Sequence, residues 1–377
     1  MPDQTTAPFR ADHVGSFLRP PDLRAAIEAT RDGENPDPIK AQKTSEHKAL
    51  EDKYIRDIVK FQEDLGLAVV TDGEFRHASF HHFLEKIEGV TVGQPKRDPN
   101  APPGSFEPRT YEITGKMRHV QPIEVDSFTF LKSVSHVTPK VTMASPTMLL
   151  RAGRDTVSEK AYPDLEEFIA DIPGIFQAEI QQLADAGCRY VQLDDTNYAY
   201  LCDPNLRNRR QLGGGTPEEL SHRYAKLINE SIAKRPAGVT AAMHICRGNS
   251  SGNFAAQGGY EPIADVLLNE IDIDGYFMEY DDERSGGFEP LRFFPKGSKK
   301  RVVLGLVSTK RPQLESKDDL KRRIDEATKY VPLENLCISP QCGFASTWKG
   351  NPVTMQVQHD KMKLVVDVAR EVWGTAA

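Results

Sequence analysis

The sequence has few cysteines, no long apolar run and no secretion signal. Its 377 residues include only five cysteines, an odd number spread thinly along the chain, and this excludes a disulfide framework. No stretch approaches the ~20 apolar residues that span a bilayer. The amino terminus lacks the basic and then apolar order of a signal peptide. We therefore expect a cytoplasmic protein without a membrane partner.

A strong excess of one charge is also absent. The chain has 48 Lys and Arg residues against 55 Asp and Glu, a formal net charge of −7, and no segment rich in Lys and Arg. This mild acidity argues against a nucleic-acid partner. The length suits either two domains or one α/β barrel, and it is sufficient for a large core.

Eight short apolar segments alternate with segments of helical periodicity. Their near-continuous apolar character is typical of strands covered on both faces, as in a parallel sheet. The strand-like segments are 11–16, 67–73, 140–145, 190–195, 239–248, 275–280, 302–308 and 335–343, and the helical ones are 43–65, 164–186, 216–233, 316–330 and 353–372. The pattern predicts an α/β fold, a single (β/α)8 TIM barrel over residues 1–377. A doubly wound open sheet is the alternative, because alternation alone does not establish closure.

Long connections after the first two strands interrupt this alternation. The first includes a polar segment with Gly and Pro at 32–37, and the second covers 89–139. Five prolines lie between Pro95 and Pro108, and the pattern of 111–125 predicts a small hairpin around Thr-Gly-Lys. A connection as long as 89–139 is usually an insertion that serves as a lid or a binding loop.

The strongest chemical signal is the pair His244 and Cys246. Side chains two positions apart on a strand point to the same face, so both can reach one ion. Glu279 and Cys342 end two further predicted strands, and in a barrel these ends converge on one rim. One imidazole, two thiolates and one carboxylate suit tetrahedral Zn²⁺. Buried cysteines are also common core residues, so the spacing alone leaves a metal site and a structural role equally open.

Several segments together resemble the zinc-binding catalytic domain of cobalamin-independent methionine synthase. Val14-Gly15-Ser16 is similar to the Ile-Gly-Ser segment of that family, Asp72-Gly73-Glu74 to its His-Gly-Glu, and Gln192-Leu193-Asp194-Asp195 to its Gln-Ile-Asp-Glu. Residues 339–343 resemble its Asn-Pro-Asp-Cys-Gly. The resemblance implies the barrel fold and Zn²⁺ as cofactor. It also implies His244, Cys246, Glu279 and Cys342 as zinc ligands and Val14, Gly15, Ser16, Glu74 and Asp194 as substrate-binding residues.

The sequence departs from this family at three places. Its full-length members carry a second, amino-terminal barrel, for which 377 residues leave no room. Their folate-stacking tryptophan segment has no clear counterpart in 109–125. Their proton-donating histidine is replaced in the segment 305–312 by Lys310. We therefore take Lys310, together with Asp194, as the candidate catalytic residues.

The resemblance implies transfer of a methyl group to a small thiol such as homocysteine, with zinc holding the sulfur as a thiolate. Glu74 and Asp194 would bind the amine of this thiol. An anionic thiol would instead need Arg19, Arg247 or Lys310, because cations bind carboxylates and sulfonates. Epoxyalkane:coenzyme M transferases, which share the fold and ligands, are that alternative.

Two further alternatives are a metal-free relative of the uroporphyrinogen decarboxylase barrel and a non-enzymatic barrel stabilised by zinc. The expected partners are a small thiol and a methyl or alkyl donor, and a homo-oligomer is possible. Some residues remain as weaker candidates. His77, His81 and His82 would line the pocket or pack helices, and Cys188, Cys202 and Cys337 are expected to be structural.

Overall fold

A computed structural model describes residues 7–30, 43–79, 81–95, 109–151, 156–208 and 215–377. The polar segment 32–37 and most of the proline-rich segment lie outside these residues. The strands are β1 (Val69–Val70), β2 (Glu88–Pro95), β3 (Arg109–Arg118), β4 (Thr138–Pro139), β5 (Val141–Ala144), β6 (Tyr190–Asp195), β7 (Thr240–Ile245), β8 (Gly275–Glu279), β9 (Arg301–Val307) and β10 (Leu336–Pro340).

Helices alternate with these strands along most of the chain. They are α1 (Pro21–Ala29), α2 (Ser45–Asp64), α3 (His82–Glu85), α4 (Val125–Val134), α5 (Leu165–Asp185), α6 (Asn197–Cys202), α7 (Pro217–Ile232), α8 (Ala264–Asn269), α9 (Lys317–Ala327) and α10 (Met355–Trp373). Hydroxyl or carboxylate side chains cap the amino ends of the five long helices that the sequence predicted, α2, α5, α7, α9 and α10. Among the described residues, none of the helices combines the length and the apolar character that crossing a membrane requires.

The centre of the molecule is a parallel sheet of six strands in the order β5-β6-β7-β8-β9-β10. At one side Ala11 forms a parallel bridge with Ile338 of β10. At the other side β1 pairs with β4, and Lys140 N donates to Val70 O at 2.8 Å. The eight predicted strand segments therefore follow one another in the order of a TIM barrel, which agrees with the predicted α/β class.

The first two segments form much shorter strands than the sequence predicts. The segment 11–16 has only the bridge at Ala11, and 67–73 yields the two residues of β1. Gly15 has a φ of 136° and Gly73 a φ of 71°, values that turn the chain out of an extended course. The two segments meet instead through the Thr71 hydroxyl, which donates to Gly15 O at 2.6 Å.

The predicted hairpin around Thr-Gly-Lys is wrong. β3 continues through these three residues and pairs antiparallel with β2, so the connection lies between the two strands, outside the described residues. The close approach of the two strands falls at Gly89 of β2, where a Cβ would lie 2.8 Å from Gly115 O. A Cβ on Gly115 would come no closer than 3.8 Å to Gly89 Cα. That β2, β3 and α4 act as a lid stays a prediction.

Candidate metal centre

Four side chains meet at the carboxyl ends of the central strands. His244 lies in β7 and Cys246 follows it, Glu279 ends β8, and Cys342 follows β10. Their ligand atoms all lie within 4.8 Å of one another, and all four residues are buried. The two Sγ atoms are 3.7 Å apart. The structure therefore brings together the four residues that the sequence indicated as ligands.

The imidazole of His244 presents one nitrogen to this cluster. Its Nδ1 lies 3.3 Å from Phe277 O, and because a carbonyl only accepts, Nδ1 carries the proton. Nε2 is buried and has no hydrogen-bond partner among the described residues. A backbone carbonyl on one ring nitrogen and a lone pair on the other is the arrangement of a metal-binding histidine. The orphaned nitrogen thus fits a metal ion.

The sulfurs of the two cysteines lie within hydrogen-bond distance of each other. The Cys246 thiol donates to the Cys342 sulfur, which lowers the pKa of Cys342 well below that of a free thiol although burial opposes this. The charge of Lys310 adds to the effect. The same hydrogen bond and burial raise the pKa of Cys246. Cys342 is therefore the more easily ionised of the two, and a divalent cation would hold both sulfurs as thiolates.

The carboxylate of Glu279 is fully buried and held on both oxygens. Oε1 accepts the backbone N–H of Arg247 at 2.7 Å. Oε2 lies 3.5 Å from Arg284 Nη2 and 3.6 Å from Lys310 Nζ. Behind it, the Tyr260 hydroxyl accepts the Glu279 N–H at 2.8 Å. Lys310, the candidate proton donor, therefore lies directly beside a candidate metal ligand.

The buried Glu74 and the partly buried Asp194 form a second group on the same rim. Asp194 is paired in register with His244 of the neighbouring strand, and Glu74 follows β1. Burial, together with the charge of Asp194, raises the pKa of Glu74 to about 8. Burial raises the pKa of Asp194 to about 6, although His244 and Gln192 partly oppose it. Both carboxyls line a small cavity that also contacts His77 and His82, whose rings stack at 4.8 Å.

The segment Val14-Gly15-Ser16 passes between this acidic pair and the loop after β10. A Cβ on Gly15 would lie 2.7 Å from Thr142 Cγ2 and 3.1 Å from Glu74 Oε1, so only glycine fits. The hydroxyl of Ser16 accepts the Ala345 N–H at 3.3 Å. The structure thus places the three predicted substrate-binding residues beside Glu74.

The two arginines proposed for an anionic substrate make contacts within the protein. Arg19 Nη2 donates to Glu74 O at 2.5 Å and to His77 O at 2.6 Å. Arg247 is fully buried, and its guanidinium lies 4.4 Å above the Tyr260 ring. This geometry favours a structural role for Arg19. The guanidinium nitrogens of Arg247 have no hydrogen-bond partner among the described residues, so contact with an anionic group stays open for this side chain.

Sequence reasoning did not find several residues that hold the site. Arg284 is in a polar loop without any distinctive pattern, so no signal could have identified it. Lys140 did give a signal, because a charged residue at the start of an apolar strand must find a buried partner. Cys188, Cys202 and Cys337 are buried away from the cluster, and burial raises the pKa of each. These three therefore fit the expected structural role.

The chain matches one known protein family over almost its whole length. The family model described as the catalytic domain of cobalamin-independent synthase matches residues 9–371. The uncharacterised protein YxjH of Bacillus subtilis is 40% identical over 372 residues, which cover 98% of this chain and 96% of YxjH. A methionine synthase of Saccharolobus solfataricus is 27% identical over 339 residues, 88% of this chain and 86% of that protein.

Solved structures agree on the fold. A Listeria monocytogenes protein, described as a candidate vitamin-B12-independent methionine synthase, has a TM-score of 0.76 and 36% identity, covering 98% of this chain and 99% of its own. A B12-independent methionine synthase from Shewanella, in complex with selenomethionine, has a TM-score of 0.71 at 17% identity, covering 96% of this chain and 97% of its own. These neighbours are TIM barrels and confirm the predicted class. The chain belongs to the family of the cobalamin-independent synthase catalytic domain.

Proposed function

We propose that this protein is a zinc-dependent methyltransferase that methylates a small thiol bearing an amine, such as homocysteine. The observation that carries the proposal is the pairing of His244 with Asp194 on adjacent strands. This pairing sets a His, Cys, Glu, Cys donor group beside the carboxyls of Asp194 and Glu74. Membership of the family supports methyl transfer as the type of reaction.

Zinc, when bound, would keep a substrate sulfur deprotonated at neutral pH. His244, Cys246, Glu279 and Cys342 would hold the ion. The carboxylate is the weakest of these ligands, because Arg284 and Lys310 compete with a metal for its Oε2. Glu279 is therefore the ligand that an incoming thiolate would replace most easily.

The chain's own residues would bind and orient both reactants. Glu74 and Asp194 would accept hydrogen bonds from the ammonium of the thiol. In the transfer, the sulfur–carbon bond forms while the bond between donor and methyl carbon breaks, and its electron pair stays on the donor. We propose that Lys310 supplies the proton that the donor then takes up. Asp194 would orient the thiol through its ammonium group.

Zinc analysis tests the ligand assignment. We expect about one zinc per chain in the wild type, loss of zinc in Cys342→Ser, and retention in Cys337→Ser, which alters a buried cysteine of β10 outside the cluster. Elemental analysis of the purified proteins measures this. Full zinc content in Cys342→Ser would overturn the assignment.

A thiol panel tests the reaction. We expect methyl transfer to homocysteine from a methylated donor, and a thiol-dependent change in the visible spectrum of the cobalt-substituted protein. Coenzyme M with an epoxide serves as the comparison, because an anionic thiol is the main alternative. Arg19 gives that alternative little support, since it binds backbone carbonyls, whereas Arg247 has no hydrogen-bond partner among the described residues. A cobalt spectrum that no thiol changes would favour a structural metal.

A further inference from the structure

Two neighbouring side chains on one face at the start of β5 are linked to the acidic pair of Glu74 and Asp194, Thr142 directly and Lys140 through Gln192. Lys140 directly precedes β5 and Thr142 lies within it, two positions apart and therefore on the same face. The Lys140 side chain is completely buried. Neither residue belongs to the candidate metal centre, and neither has a role in the function proposed above.

Lys140 fixes the orientation of a neighbouring amide. Its Nζ donates to Asp12 Oδ1 at 2.9 Å, to His13 O, and to Gln192 Oε1 at 3.0 Å. An ammonium can only donate, so Gln192 must turn its oxygen towards Lys140. Its Nε2 then faces the other way and donates to Val14 O at 2.7 Å and to Asp194 Oδ1 at 2.8 Å.

This chain of hydrogen bonds has a fixed direction, from Lys140 through Gln192 to Asp194. It makes Oδ1 of Asp194 an acceptor. Thr142 orients the other carboxyl directly, because its hydroxyl donates to Glu74 Oε1 at 3.2 Å. One oxygen of each carboxyl is thus oriented by a donor of the protein. The second oxygen has no hydrogen bond within the described part of the chain and is left to meet a cationic ligand.

We propose that Lys140 and Thr142 are positioning residues that orient Asp194 and Glu74 for a substrate ammonium. Lys140 acts through Gln192, and Thr142 acts directly. Lys140 also donates to the carbonyl of His13, and Gln192 donates to that of Val14. Lys140 and Gln192 together therefore fix the start of the segment that packs beside Glu74. The inference rests on the proposed function, because it assumes a thiol that carries an amine.

Gln192→Glu and Thr142→Val are the variants that test this. The carboxylate introduced by the first still accepts from Lys140 but cannot donate to Asp194, so the buried lysine keeps its partner. The second replaces a hydroxyl by a methyl group of the same size, and Thr142→Ser restores the donor. The matched controls are Gln177→Glu and Thr328→Val, which alter a surface amide on α5 and a surface hydroxyl after α9.

Titration calorimetry of the zinc-loaded proteins compares homocysteine with the same thiol lacking its amine. We expect wild type and both controls to prefer homocysteine. Gln192→Glu and Thr142→Val should each bind homocysteine about tenfold more weakly, with the amine-free thiol unchanged, and Thr142→Ser should recover. In turnover, KM for homocysteine should rise while kcat at saturation stays near the wild-type value.

The outcomes separate this inference from the proposed function. If wild type prefers homocysteine and both variants keep the full preference, Lys140 and Thr142 do not position the carboxyls, and the proposed function stands. If wild type binds the two thiols equally, recognition of an amine is wrong and the inference fails with it. If Gln192→Glu does not fold, Thr142→Val with its serine rescue decides the question alone.

Discussion

Glu74 shows how a single buried acid links binding to stability. Its pKa of about 8 lies above the ordinary value of 4.5, because burial and the charges of Asp194 and Asp72 disfavour ionisation more than Arg19 favours it. Between these two values the folded protein holds a proton that the unfolded chain has lost. Stability therefore falls as the pH rises through this window.

Replacing this acid should make the protein more stable and less able to bind substrate. Glu74→Gln stays neutral at every pH, so we expect its melting temperature to match wild type near pH 4.5. By pH 9 it should exceed wild type by about 3 °C or more. Thermal unfolding of the variants across this range, with Glu218→Gln at an exposed position of α7 as control, measures the effect. A difference that does not grow with pH would contradict the assignment of the buried proton.

The role of Lys310 depends on its position beside Glu279. Its Nζ lies beside Glu279 and has no hydrogen-bond partner among the described residues. We expect Lys310→Met to keep its zinc and its KM for homocysteine but to lose about 100-fold in kcat, because the departing donor lacks a proton source. Steady-state kinetics and elemental analysis check this, with Lys349→Met on the nearby loop as control. Loss of the metal would instead make Lys310 a support of Glu279.

At the scale of strands, the sequence predicted which residues meet at the carboxyl ends of the strands. It did not predict the residues that hold them in place. A two-residue spacing on β7 brings His244 and Cys246 to one face, and the convergence of parallel strands brings Cys342 to the same place. Both follow from geometry that the sequence carries. The contacts of Arg284 and the direction of the bonds from Lys140 depend on packing between distant segments, which no local pattern encodes.

The segment between the bridge at Ala11 and α1 should be intolerant of any side chain at Gly15. Gly15→Ala combines a positive φ with a Cβ 2.7 Å from Thr142 Cγ2. Gly238→Ala is the matched control, since its φ is also positive at 84° but nothing lies within 4 Å of its Cβ. We expect the control to cost about 1–2 kcal/mol, and Gly15→Ala to cost more and to abolish homocysteine binding. Urea unfolding and calorimetry compare the two, and equal costs would show that the contact with Thr142 is unimportant.

At the scale of the whole molecule, the candidate ligands connect strands that are far apart in the chain. β7, β8 and the loop after β10 each contribute, so a bound ion would link the second half of the barrel. A ligand that binds only the folded state stabilises it by ~2.7 kcal/mol at 100 times its Kd. Metal occupancy should therefore be visible in the global stability.

Removing the metal should lower the melting temperature of wild type by about 3 °C or more. Thermal unfolding with and without a chelator measures this change. Cys342→Ser is the internal control, because a protein that has already lost the ion should not respond. A wild-type melting temperature that the chelator leaves unchanged would mean that the ion contributes nothing to folding.

The pairing of Asp194 with His244 fixes the distance between the two parts of the site. Adjacent strands lie ~4.8 Å apart, and hydrogen bonds of the main chain fix their register. The distance between the place for the ammonium and the place for the sulfur is thus set by the backbone and not by mobile side chains. A thiol one methylene shorter, such as cysteine, would reach only one of the two. We expect cysteine to bind about 10- to 100-fold more weakly than homocysteine. The spacing of the strands would then determine which length of carbon chain the protein selects.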